Sequence, residues 1–313
     1  MSYDENQHHD PRPHRSRRGL VAAVTAAALV VGGAGGWLAW QADGSDGGTP
    51  AGSATTAGKP GDSPTPTPSA AASPPATSKP PATTPSKKSG PLTGKVVVVD
   101  PGHNPGNFSH TREINRQVDI GTKRKECDTT GTATDAGYRE ADFTLDVSRR
   151  LRTLLEKQGA QVEFTQDADR PFGPCIDERA RFGNEANADA VISIHADGSA
   201  VGNRGFHVIL PGRVKAGAAD TSEIVGPSRE LGERIAGKFL RATGSSPSNY
   251  VGDGTGLDVR SDLGGLNLST VPKVFIECGN MRDPEDVALL TSASWRQKAA
   301  QGMADGISSY LQR

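Results

Sequence analysis

Two histidines stand where buried strands run out. The segment VVVVDPGH carries His103 just past one β-branched run, and VISIH puts His195 at the tip of another. Ligands of open α/β sheets bind at the carboxyl ends of the strands, so two imidazoles delivered there point to a metal site. A single strand-end His is more often a hydrogen-bonded structural residue; the pair is what carries the reading. Catalytic zinc takes three protein ligands, often two His and a carboxylate, and keeps a fourth position for water. Glu140, in YREADF, is the favoured carboxylate because it sits just before a long amphipathic helix, a rigid point from which to reach the cleft. Glu113 and Glu126 lie in a polar loop without that support. A second acid, Glu277 in VFIECGN, closes a third apolar run at the same sheet edge. Beside a metal-activated water, such a carboxylate can take a proton and pass it to a leaving amine. His207 falls within a strand and His110 in a loop, and both are assigned to structure. Asp100 either orients His103 or caps the turn after it. Asp197, next to His195, is equally open.

The elements that must position these residues follow from hydrophobic periodicity. Residues 95–99, 161–165, 190–194, 204–210 and 273–277 read as short strands. In the stretch 141–158, Phe143, Val147, Leu151, Leu154 and Leu155 fall on one face of a helix. Helices are also expected over 176–187, 227–242, 284–291 and 295–311. Strands alternating with helices predict a single α/β domain whose twisted sheet is mainly parallel and flanked by helices.

That domain is only part of the chain. Of 313 residues, 35 are basic and 36 acidic, a balance that excludes nucleic acid held by bulk charge. All eight Phe and all three Cys lie from Phe108 onward, so the overall 34% apolar content averages unlike pieces. Residues 1–18 form a basic tail expected on the cytoplasmic side. Residues 19–42 contain no charge and end in Trp37 and Trp40, the pattern of a transmembrane signal-anchor or, alternatively, of a cleaved signal peptide. Residues 43–91, almost wholly Gly, Ser, Thr, Ala and Pro, read as a disordered linker with a reach of about 40 Å. Residues 92–313 are the folded part. Either N-terminal reading exports that part, anchored at the membrane through 19–42 and facing the periplasm or cell wall, or secreted.

DPGH at 100–103, Glu140 after a Gly-Tyr stretch, SIHAD at 193–197 and ECGN at 277–280 resemble the zinc-dependent N-acetylmuramoyl-L-alanine amidases of peptidoglycan. The approach to SIHAD, from Asp177-Glu178-Arg179 through Asn184, Asn187 and Ala188, is similar too. The four blocks occur in the family's order across nearly all of 95–313. The resemblance implies one Zn2+ held by His103, Glu140 and His195, with Glu277 as the catalytic carboxylate, on a sheet of about six strands. It implies peptidoglycan as substrate, cut between muramic acid and L-Ala, and a monomer open to an activator or cell-division partner. Cys278 departs from the aliphatic residue common at its position; a buried Cys packs as a small hydrophobe. Two other readings keep the fold: a zinc peptidase cutting within the stem peptide, and an inactive peptidoglycan-binding domain.

The insert from Asn104 to Arg139 is longer than an unstructured connection normally runs in a compact domain. In an exported protein its Cys127 is expected to pair with Cys175, leaving Cys278 reduced and holding the insert beside the cleft. In the Gly-rich stretch 250–267, Arg260 is a candidate for a stem-peptide carboxylate or an ordinary surface ion pair. Residues 212–226 are expected as a lid over the metal.

Overall fold

The computed structural model describes residues 89–313. The expected tail, the membrane segment and all but the end of the linker lie outside the described residues. Among the described residues no helix is long and apolar enough to cross a membrane. In chain order the elements begin β1 (Val96–Pro101), α1 (Thr111–Ile114), β2 (Gln117–Asp119), β3 (Arg124–Glu126), α2 (Glu140–Lys157), β4 (Gln161–Phe164), α3 (Ile176–Glu185) and β5 (Ala190–Asp197). They continue with β6 (His207–Pro211), β7 (Lys215–Ala216), β8 (Ala219–Asp220), α4 (Val225–Thr243), β9 (Leu257–Arg260), α5 (Gly264–Asn267), β10 (Lys273–Asn280), α6 (Pro284–Leu290) and α7 (Ala293–Leu311).

Six strands form one sheet in the order β4-β1-β5-β10-β6-β9, parallel at every pairing except β10 with β6. Because side chains alternate across a strand, each central strand sorts its residues between two faces. Val97 and Val99, Ile192 and Ile194, and Val274 and Ile276 face a core shared with α2, α4 and α7. Phe143, Val147, Leu151 and Leu155 of α2, Leu231 and Ile235 of α4, and Met303 and Ile307 of α7 complete it, all fully buried. Truncating one of them, as in Leu151→Ala, costs about 2–5 kcal/mol. The opposite face receives Val98 and Asp100, Ser193 and His195, and Lys273, Phe275 and Glu277. There α3 covers Val98 and Val191 through Phe182 and Ala186. Beyond α3 this face carries polar residues, and the site lies on it.

The sequence pattern located five of the six sheet strands. The sixth, β9, follows Gly252, Gly254 and Gly256, all at positive φ, and is too short and polar to stand out. Residues 212–226 do not form a lid. They make the tight β7–β8 hairpin and the start of α4, and a Cβ on Gly121 of the insert would fall 2.4 Å from that of Ala219. Their packing partner is therefore the insert, and none of them lines the cleft described below. The insert itself is structured by α1 and the β2–β3 hairpin. Cys127 and Cys175 are bridged across 48 residues, packed with Val118, Ile120 and Ile176, while Cys278 is buried and free. Closing a loop of that length stabilises by about 4 kcal/mol in the chain-entropy account.

Candidate active site

His103, Glu140 and His195 come together from three elements, with one ligand atom from each within 4.8 Å of the others. His103 follows β1 in a turn at φ 61°, a left-handed conformation that costs a non-glycine residue energy and collects at functional sites. Glu140 is the first residue of α2, where the helix dipole favours a carboxylate. His195 lies on β5, which runs two residues past it. Glu140 Oε1 lies 3.2 Å from His103 Nε2 and 3.0 Å from His195 Nδ1, and the two rings meet edge to face at 5.0 Å. The carboxylate also accepts from the backbone N–H of Ala196 at 3.2 Å and of Thr132 at 2.9 Å. The outer ring nitrogens are occupied as well: His103 Nδ1 lies 3.1 Å from the Thr129 carbonyl, and His195 Nε2 3.2 Å from Ser193 Oγ.

Two glycines allow backbone to close on these ligands. A Cβ on Gly102 would fall 2.4 Å from His195 Cε1, and one on Gly131 2.7 Å from His103 Cδ2 and 2.8 Å from Glu140 Oε2. Without a metal, the carboxylate and the imidazoles balance one another. Burial would raise Glu140, but His103 and His195 hold it well below the ordinary carboxylate range. Burial would lower His103, but Glu140 and Asp128 push it well above the usual imidazole value. Two imidazoles with fixed outer nitrogens and one buried carboxylate are the donor set of a catalytic metal site with an open position.

Glu277 stands beside His195 in the sheet register, in a cleft of about 280 Å³ that His103, Glu140, His195 and Arg260 also line. Its Oε2 is buried without a hydrogen-bond partner. Burial, with Glu140 and Asp197 nearby, pushes its carboxyl well above the usual range. Arg260 reaches the cleft with its guanidinium already forked onto Asp262 at 2.8 Å and 2.8 Å. Asp197 accepts from the Tyr250 hydroxyl at 2.7 Å. Tyr250 in turn meets His207, the buried register partner of Glu277 on β6, edge to face. His110 stacks on Phe172 at 5.0 Å, away from the site. Glu113 pairs with His110 at 3.8 Å and takes no part. Glu126 lines a second cavity, of about 150 Å³, behind the imidazoles.

Asp100 neither touches His103 nor caps the turn. It is fully buried and accepts from Thr165 Oγ1, Ser193 Oγ and Arg179 Nη1. Sequence reasoning also passed over Asp128, Ser193 and Lys273 as site residues. Ser193 and Lys273, polar residues beside the apolar stretches of β5 and β10, are the visible signals.

Residues 97–309 match the N-acetylmuramoyl-L-alanine amidase family. An N-acetylmuramoyl-L-alanine amidase of Mycobacterium tuberculosis is 40% identical over 222 residues, covering 70% of this chain and 88% of that one. The crystal structure of the N-acetylmuramyl-L-alanine amidase Ami1 from Mycobacterium smegmatis superposes with a TM-score of 0.64 at 39% identity, over 70% of this chain and 98% of that one. The apo form of Ami1 from Mycobacterium abscessus gives 0.64 at 42% identity, over 70% of this chain and all of that one. With the ligand geometry, the family match and relatives of this identity in agreement, the chain belongs to the N-acetylmuramoyl-L-alanine amidase family.

Proposed function

We propose that this chain hydrolyses the amide between the muramic acid lactyl group and L-Ala of peptidoglycan with Zn2+ held by His103 Nε2, Glu140 and His195 Nδ1, and with Glu277 as general base. The amidase activity itself follows from family membership, since the homologues are peptidoglycan-hydrolysing N-acetylmuramoyl-L-alanine amidases. The observation that supports the finer reading is three ligand atoms within 4.8 Å on the wall of the cleft that contains Glu277. A Zn2+ ion held by these three residues would supply Lewis-acid polarisation of the amide carbonyl and a water nucleophilic near neutral pH.

The rest is done by side chains. Glu277 Oε2 lacks any partner in the protein, and with a dication beside it offsetting burial, Glu140 and Asp197, the carboxyl would ionise and accept the proton of the attacking water. It returns that proton to the L-Ala nitrogen as the C–N bond breaks, so the products are the lactyl carboxylate and a stem peptide with a free amino terminus. Arg260 stands where it can exchange Asp262 for a stem-peptide carboxylate. Peptidoglycan lies outside the cytoplasm, and residues 19–42 as an uncleaved anchor with 43–91 as tether would hold the domain within reach of it. Membrane fractionation with N-terminal sequencing of the mature chain tests that arrangement.

The test of the mechanism is Glu277→Gln on purified peptidoglycan. The variant should keep stoichiometric zinc and lose about 10²–10⁴-fold in turnover, the usual share of a general base. Wild-type turnover by the variant would end the assignment. Mass analysis of wild-type products should show intact stem peptides beginning with L-Ala; cleavage within the peptide would place the scissile bond elsewhere.

A further inference from the structure

We propose that Arg179 is a positioning residue for the metal site, one buried guanidinium that orients both imidazole ligands through two separate carboxylates. The inference rests on the metal-site reading above and adds to it a residue that touches neither ligand. Arg179, in the first turn of α3, makes four hydrogen bonds. Its Nη1 donates to Asp100 Oδ1 at 2.6 Å and to the Pro101 carbonyl at 2.7 Å, its Nη2 to Asp128 Oδ2 at 2.9 Å, and its Nε to the Pro174 carbonyl at 3.0 Å. The two carboxylates lead to different ligands.

The first route runs to His195. Asp100 Oδ2 accepts from the Ser193 hydroxyl at 2.8 Å, and Ser193 Oγ lies 3.2 Å from His195 Nε2. With its hydrogen committed to the carboxylate, the serine oxygen acts toward the ring as an acceptor. The His195 proton therefore sits on Nε2, and the lone pair of Nδ1 faces Glu140. The second route runs to His103. Asp128 Oδ1 accepts from the Thr129 N–H at 2.8 Å and lies 3.5 Å from His103 Nδ1, while the Thr129 carbonyl lies 3.1 Å from the same nitrogen. Asn107 donates to both Asp128 and the Thr129 carbonyl, at 3.1 Å and 2.7 Å. Here the proton sits on Nδ1, and Nε2 faces Glu140. The two ligands thus present opposite ring nitrogens. His195 is fixed through Asp100 and Ser193. His103 is fixed through the Thr129 carbonyl, with Thr129 Oγ1 3.2 Å from the same Nδ1 and the turn held by Asp128 and Asn107.

The composition of the cluster argues for function over stability. Asp100, Asp128, Arg179 and Lys273 are each 0–5% exposed, and Lys273 Nζ lies 3.4 Å from Asp100 Oδ2. Four buried charges balance in sign, yet buried ion groups often stabilise no more than apolar residues of the same volume. What an apolar replacement cannot do is accept the outer N–H of an imidazole and so set its tautomer. Arginine is required because its planar fork meets two carboxylates at once, which the single point charge of lysine does not.

The experiment uses the full-length chain in detergent, with Ser193→Ala, Asp128→Asn and Arg179→Lys. Zinc affinity is measured by chelator competition, the Co2+-substituted protein by visible absorption, and the metal-free protein by thermal melting. All three variants should bind zinc about 10–100-fold more weakly, with an altered Co2+ spectrum. Ser193→Ala removes one hydrogen bond to buried Asp100 and should lower the metal-free Tm modestly, but the altered Co2+ spectrum is a change that a purely structural role would not produce. If Arg179→Lys fails to fold, the other two variants carry the test. Wild-type zinc affinity and an unchanged Co2+ spectrum in Ser193→Ala and Asp128→Asn would overturn the proposal. Failure of the parent chain to bind zinc would instead overturn the metal reading on which it stands.

Discussion

Gly131→Ala separates backbone strain from ligand crowding, because the insert contains its own control. Gly131 and Gly137 both adopt left-handed φ, at 73° and 84°. An alanine in that conformation costs about 1–2 kcal/mol at either position, and for a domain of this size that lowers Tm by about 2–8 °C. The surroundings differ. A Cβ at 137 meets nothing within 4 Å, whereas one at 131 lies 2.7 Å from His103 Cδ2 and 2.8 Å from Glu140 Oε2. Contacts that short force the metal ligands to move, and displaced ligands lose about 10–100-fold in metal affinity. The expected result is two variants that both melt below the parent without metal, Gly131→Ala by at least as much as Gly137→Ala, of which only Gly131→Ala binds zinc weakly in chelator competition. Wild-type zinc affinity in Gly131→Ala would show that the ligands are not held where the structure puts them. An equal loss in Gly137→Ala would show that backbone strain alone perturbs the site.

Removing zinc with a chelator should abolish activity and lower Tm, with both restored by zinc. At a zinc concentration of 1,000 times Kd the difference is about 4 kcal/mol, and calorimetry with and without metal reads it. Replacing both Cys127 and Cys175 with Ser should cost up to about 4 kcal/mol, seen as a lower urea midpoint, whereas Cys278→Ala leaves the disulfide count unchanged by thiol titration. Burial would raise Asp100, but Arg179 and Lys273 bring its carboxyl down to about 2 from the usual 3.8. A depressed folded pKa means that its contribution, about 2 kcal/mol, is complete above pH ~4 and is lost as pH falls to ~2. Acid titration of the metal-free chain should show that slope, and Asp100→Asn should be flatter across the same interval.

The four residues that meet around the cleft were legible because each sits where a pattern stops. His103 and Glu277 end apolar runs, Glu140 opens an amphipathic helix, and those boundaries are visible in the order of residue types alone. His195 stands out for the same reason, although β5 continues through Ala196 to Asp197. The β9 strand was not found because its four residues follow a run of glycines and sit at the sheet edge, where burial imposes little pattern. The 212–226 segment was misread for another reason. The lid was expected from family resemblance although the segment is short, and its small residues at 216–219 pack against Gly121, a tertiary contact with no local signature.

The charge cluster was hidden by the same physics that made the strands easy to find. A parallel strand buried on both faces reads as one apolar run, which conceals which residues face the core and which face the site. A polar residue inside such a run is then the informative position, since burial without a partner would cost several kcal/mol. Asp100 in β1, Ser193 in β5 and Lys273 in β10 interrupt three neighbouring runs, and alternation places all three on the face away from the helical core. They meet at one atom: Asp100 Oδ2 lies 2.8 Å from Ser193 Oγ and 3.4 Å from Lys273 Nζ. Three polar interruptions in adjacent buried strands therefore imply a shared partner, because none of them could be buried alone. In this chain Ser193 and Lys273 share Asp100, whose other carboxylate oxygen accepts from Arg179, and Arg179 carries the network on to Asp128 beside His103.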